Sequence, residues 1–174
     1  MERDIIFVPP ELQRKPRQSL FQSFARAFIG LGYMVATERN ARIHCLVAMV
    51  WFLVNMVVRP ATYLVLEGVL AVFLVMGFEA VNTSVERVVD VAACGEWRTW
   101  AEHAKDTAAG SVLLATMAAV LTGIHVLAAT WPWHWWLFTG KHWLGSAVAC
   151  AGLLFILAMC FSAWRQREVY WIRS

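Results

Sequence analysis

Four long apolar blocks dominate this chain: Cys45 to Val58, Ala61 to Val81, Ala108 to Ala129 and Leu144 to Ala163. Each approaches the ~20 residues that carry an α-helix across a ~30 Å hydrocarbon layer. A water-soluble core cannot absorb unbroken blocks of this length, and lipid offers the backbone no partners outside a helix or a closed barrel. The expected fold is therefore all-α, a polytopic membrane helical bundle. With 60% hydrophobic and only 16% charged residues among 174, composition agrees.

The first apolar run, Ile5 to Pro10, is short and ends in two prolines, so no cleavable signal peptide is expected. Residues 1–18 read as a polar, proline-punctuated leader. From Ser19 to Thr37, Phe21, Phe24, Phe28 and Leu31 recur every three or four positions, the stripe of an amphipathic helix lying on the membrane surface. This gives a surface helix plus four spans, divided as a leader (1–18), a core (19–129) and a Trp-rich connection with a fourth span (130–174).

Basic residues set the expected orientation, because short cytoplasmic loops retain Lys and Arg. Thirteen of the fifteen fall in residues 1–42, in the 87–107 connection or in the tail. Both termini and the 87–107 connection should then be cytoplasmic. Arg59 and Lys141 remain for the two outer connections. Trp131, Trp133, Trp135, Trp136 and Trp143 crowd the second of these, where indole rings favour the membrane interface. The His pair there, His134 and His142, lacks a third metal ligand. The cysteines Cys45, Cys94, Cys150 and Cys160 have neither metal nor redox spacing and read as packing residues.

The chemistry is concentrated on the second span. Its helical pattern continues to Val91, a length of ~46 Å, so the last turns must emerge from the lipid. Glu79, Asn82, Glu86 and Asp90 occupy that end at intervals of three, four and four. At about 100° per residue they share an arc of roughly 80°, one polar stripe. Carboxylates cost several kcal/mol in hydrocarbon unless paired, solvated or cation-bound, so such a stripe faces a bundle interior and marks a site. Glu67 lies some 120° away near the outer end and reads as interfacial.

Glu38, Arg39 and Arg42 precede the first span, and Lys105 and Asp106 precede the third. Several acids near one or two lysines suit Mg²⁺ with a polyphosphate. Neither G-x-x-x-x-G-K-[ST] nor G-x-G-x-x-G is present, so any nucleotide site is of a different kind.

Three segments carry a resemblance: Thr37-Glu38-Arg39-Asn40 with Arg42-Ile43-His44; Phe78-Glu79-Ala80-Val81-Asn82-Thr83-Ser84-Val85-Glu86 with Asp90; and Ala104-Lys105-Asp106-Thr107-Ala108-Ala109-Gly110-Ser111. In order and spacing they resemble the small bacterial membrane kinases that phosphorylate diacylglycerol or undecaprenol. The T-E-R-N and K-D-x-A-A-G forms are closer to the undecaprenol kinases of Gram-positive bacteria. The resemblance covers about residues 19–128. It implies a homotrimer in the bacterial inner membrane with active sites at protomer interfaces, taking ATP, Mg²⁺ and a lipid alcohol, and no nucleic acid as partner. It also implies Glu79 as the base at the lipid hydroxyl, Asn82 as a positioning and substrate-binding residue, Glu38 and Glu86 as metal ligands that also meet ATP, and Lys105 and Asp106 as nucleotide contacts. Ala41 departs from the larger aromatic residue common in the family, and the fourth span has no counterpart in the pattern.

Two other classes fit less of the sequence. A cation or proton transporter needs polar groups through the full bilayer depth, and the outer halves of these spans offer little besides Glu67. A non-catalytic descendant would not need Glu38, Asn82, Glu86, Lys105 and Asp106 together.

Overall fold

The computed structural model describes residues 19–134, 140 and 142–171. The leader 1–18, together with Trp135, Trp136 and Lys141 of the Trp-rich connection, lies outside the described residues. Five helices make up the described chain: α1 (Leu20–Thr37), α2 (Arg39–Val58), α3 (Thr62–Ala92), α4 (Thr99–Ala129) and α5 (Trp143–Trp171). Among the described residues α2 to α5 are long and apolar enough to cross a membrane.

Local chemistry sets the helix ends. Ser19 begins α1 with a capping box, its Oγ accepting from Gln22 N–H at 3.3 Å while Gln22 Oε1 accepts from Ser19 N–H at 3.2 Å. Only Glu38 separates α1 from α2. Its backbone is extended (φ −93°, ψ 129°), and its N–H closes α1 on Met34 O at 2.8 Å. Arg42 Nη1 reaches back to Ala36 O at 3.1 Å, satisfying a carbonyl the helix end leaves open. At the far end of α2, Arg59 takes a left-handed conformation (φ 50°), and Pro60 prevents continuation. A tight reversal through Cys94 (φ 53°) and Gly95 (φ 74°) joins α3 to α4.

Two boundaries differ from the sequence reading. Helix α2 starts at Arg39, six positions before the apolar block, and α4 starts at Thr99, nine positions early. Apolar blocks register hydrocarbon depth, whereas a helix continues into the interface wherever its backbone can still bond to itself. Lys105 and Asp106 therefore stand on the second turn of α4 and not in a loop before it.

The core lies where α5 meets α1, α2 and α3. Phe52, Val65, Ala149, Ile156 and Met159 are fully enclosed, and Phe155 meets both Phe28 of α1 and Phe73 of α3 edge-on at 5.9 and 5.6 Å. Lipid gives helices no hydrophobic reason to associate, so close packing over small residues has to hold them. A Cβ on Gly152 would lie 2.6 Å from Phe52 Cε1, and one on Gly32 would lie 2.7 Å from Gln166 Nε2. Gln166 also donates to Ile29 O at 2.9 Å, tying the far end of α5 to the surface helix. The fourth span, beyond the reach of the resemblance, is thus the packing partner of α1 and α2.

Helix α4 is different. Among the described residues its backbone packs closely only on that of α3, and α2 reaches it through side chains alone. Only 11% of its apolar stretch is buried within the chain. A crevice consequently runs between α2 and α4 with α3 as its floor.

Candidate active site

The carboxylate stripe of α3 faces this crevice at the end of the bundle nearest Glu38. Glu79 is 2% exposed and Asn82 7%. Both line a cleft of about 260 Å³ whose walls are Asn40, Ile43 and His44 of α2 and Ala109, Val112 and Thr116 of α4. Asn82 Nδ2 donates to Glu86 Oε1 at 2.8 Å, one turn further along α3. Thr83, also buried, spends its hydroxyl on the backbone, donating to Glu79 O at 3.0 Å. Glu79 Oε2 and Asn82 Oδ1 are buried with no hydrogen-bond partner. Two orphaned acceptors on one buried face leave room for a group that brings a proton or a positive charge.

Glu38 and Glu86 stand close enough to act electrostatically on Glu79, and the backbone amide of Ala41, in the first turn of α2, also acts on it. The hinge between α1 and α2 supplies the Glu38 carboxylate. Oε1 accepts from Thr37 Oγ1 at 3.1 Å and from Arg87 Nη2 at 3.3 Å, and Arg87 in turn lies over the Tyr33 ring at 5.7 Å. Glu38 is thus held by two donors on one oxygen. Ala41 is completely enclosed and belongs to the buried core cluster, so the position has no open space for a larger side chain.

The structure brings Glu38, Glu79, Asn82 and Glu86 near one another, whereas Asp90, the fourth member of the stripe, turns to Lys105. Lys105 and Asp106 stand apart from them. Lys105 makes an ion pair with Asp90, one turn past Glu86, and both border a second groove of about 430 Å³ formed with Gly95, Glu96, Trp97 and Arg98 at the α3–α4 reversal. Asp106 is exposed on α4. Glu67 faces His125 of α4 at 3.8 Å, both partly exposed. Sequence reasoning missed Arg87, which it counted only as a topological charge, and the cleft walls Asn40, His44 and Thr116. A helical projection of α2 from Glu38 would have placed Asn40 and His44 on one face.

Two carboxylates, Glu38 and Glu86, flank the cleft with oxygens suited to a hard cation. Among the described residues no three His, Cys, Asp or Glu gather into a metal cage. Mg²⁺ does not require one, since it commonly binds through one or two carboxylates together with phosphate oxygens and water, so the donor set fits.

Fold and site together define a class: polytopic helical membrane proteins with a buried carboxylate centre where the helices leave the lipid. Residues 25–127 match the family described as prokaryotic diacylglycerol kinase, and the chain belongs to that family. It is 40% identical over 111 residues to the diacylglycerol kinase of Synechocystis sp., a match covering 60% of each chain. The chain thus spans about 60% of the length of this curated relative. No solved structure matches it. Helix α5 lies entirely outside the matched segment.

Proposed function

We propose that the protein is an ATP-dependent lipid kinase that transfers the γ-phosphoryl group to the hydroxyl of a membrane lipid alcohol at Glu79. The observation that carries this reading is the unpartnered Glu79 Oε2, buried in a cleft that opens sideways between two spans. A lipid hydroxyl entering there brings the missing donor. The Asn82 Oδ1 beside it offers a second acceptor, which supports a positioning and substrate-binding role for Asn82.

Glu79 accepts the hydroxyl proton as the lipid oxygen forms its bond to the γ-phosphorus. The bond from that phosphorus to the bridging oxygen of ADP breaks, and lipid phosphate and ADP leave. Positioning and charge neutralisation supply most of the catalysis in phosphoryl transfer. Glu38 and Glu86 would hold Mg²⁺, which neutralises charge on the ATP phosphates when bound. Asn82 fixes Glu86 through its amide, and Arg87 fixes Glu38. Lys105 and Asp106 contact nucleotide in this reading, with Lys105 exchanging Asp90 for a phosphate.

The basic residues at this end support placing it, and both termini, on the cytoplasmic side of a bacterial inner membrane, where ATP is available. The sparse burial of α4 supports a second copy covering that helix and the open side of the cleft, and the family resemblance implies that this assembly is a homotrimer with the cleft at the protomer interface.

For the acceptor, the name of the cyanobacterial relative favours diacylglycerol. The T-E-R-N and K-D-x-A-A-G forms favour undecaprenol instead. Transfer of labelled γ-phosphate from ATP to each alcohol in mixed micelles decides between them. Absence of transfer to both refutes the kinase reading.

A further inference from the structure

The Glu79 cleft is one section of a longer seam between α2 and α4. Through His44 and Thr116 it continues into an apolar crevice of about 220 Å³, lined further by Val47, Ala48, Val72 and Val75. At the end of that crevice farthest from Glu79 stand one residue from each helix: Trp51, Gly68 and Gly123. The Trp51 ring lies so tightly on Gly68 that a Cβ there would come within 2.6 Å of its Cε2, and its Cζ3 is 4.0 Å from where a Cβ on Gly123 would stand. Further along α2, toward the Trp-rich connection, a separate apolar cavity of about 420 Å³ is lined by Leu53, Val54, Val57 and Val58 together with Leu127 of α4, Trp133 and His134. Val47, Trp51, Val54 and Val58 follow one another at intervals of four, three and four, a single face of α2.

We infer that Trp51 is a specificity-determining residue: a partition across the α2–α4 seam that limits how far the lipid acceptor's tail can run from Glu79. The inference rests on the lipid-kinase reading and deepens it. From Glu79 to Gly68 the helix rises ~16 Å, about half the ~30 Å hydrocarbon thickness. A tail filling the crevice thus spans one leaflet before it meets the indole. A longer chain must turn out of the seam into lipid at that point. The lining supports a tail as occupant. Near Glu79 the seam is polar and carries orphaned acceptors, whereas past His44 it is apolar, the sequence of surfaces presented by a lipid alcohol from hydroxyl to tail. The small residues Gly68, Ala71, Ala119 and Gly123 leave the width a chain needs, with the indole seated closely on Gly68 and just touching the Gly123 position.

Acceptors paired by headgroup test this with the full chain in mixed micelles: dioctanoylglycerol against dinervonoylglycerol, and farnesol against undecaprenol. Trp51→Ala opens the end of the crevice and should raise the long-to-short ratio of kcat/KM by about tenfold. Trp51→Phe should lie between. Gly68→Ala, which drives the indole into the crevice, should move the ratio the other way. Wild-type protein inactive with all four acceptors sinks the kinase reading and the Trp51 assignment with it. Wild-type activity with an unmoved ratio in the variants overturns the assignment alone. So does a misfolded Trp51→Ala beside a Trp51→Phe of unchanged ratio, which makes the ring a core filler. A shift in oligomer mass with no change in ratio assigns the seam to a helix of a second copy and likewise overturns it.

Discussion

Replacing Glu79 by Gln keeps the shape of the side chain and removes its ability to accept a proton. The residue is 2% exposed and its Oε2 meets no donor, so nothing in the fold depends on that oxygen's charge. Glu38 and Glu86, both close enough to be felt at Glu79, are relieved of a like charge by the change. The folded state should therefore be at least as stable as wild type. Activity should respond in the opposite direction. A positioned general base contributes about 10²–10⁴-fold, which is ~2.7–5.4 kcal/mol of barrier. The loss should fall on kcat, because the Gln carbonyl can still accept a hydrogen bond from the lipid hydroxyl and hold it near its ground-state position. Initial rates over a range of lipid concentration in mixed micelles separate kcat from KM, and thermal unfolding in the same detergent reports the fold. A Glu79→Gln protein that stays folded with kcat within about threefold of wild type refutes Glu79 as the base.

Other sites give further expectations. Glu38→Gln and Glu86→Gln should each weaken activation by Mg²⁺ at least about tenfold, read as the Mg²⁺ concentration for half-maximal rate, since even supporting residues around a metal commonly matter that much. Arg87→Ala should cost under about 1 kcal/mol in unfolding measurements, because an ion pair this exposed contributes little, yet it should lower turnover by freeing Glu38. Phe52→Ala, emptying the fully enclosed contact between α2 and α5, should destabilise by about 3–5 kcal/mol in denaturant titrations in micelles. Lys105→Ala should raise KM for ATP more than it lowers kcat, and leave lipid KM unchanged.

The parts of this architecture carried by one helix at a time could be read in the sequence. Glu79, Asn82 and Glu86 announce a common face because their spacing fixes their angle on α3, and the same phase puts Glu79 and Asn82 on the floor of one cleft with Glu86 bonded to Asn82. The resemblance placed Glu38 with them, across a hinge that no periodicity describes. Contacts between helices were harder to see. Trp51 lies in a block that is apolar all round, so its phase gives no hint that it rests on Gly68. Arg87 and Glu38 are forty-nine positions apart and meet only through the α2–α3 packing. The early start of α4 was hidden because residues 99–107 are polar and helical at once. The role of α5 was illegible for a related reason: Gly145 and Gly152 tell of close approach but not of which helix approaches.

The bond between Gln166 and the Ile29 carbonyl has a consequence in time. Helix α1 emerges from the ribosome before the other four, and its packing partner α5 emerges after them. Until α5 is threaded into the bilayer, α1 lacks its main packing surface, and the one-residue joint that presents Glu38 is held by the reach of Arg42 to Ala36 O and of Arg87 to Glu38 without it. The candidate site thus gains its last support when α5 arrives, although two of its three carboxylates are made midway.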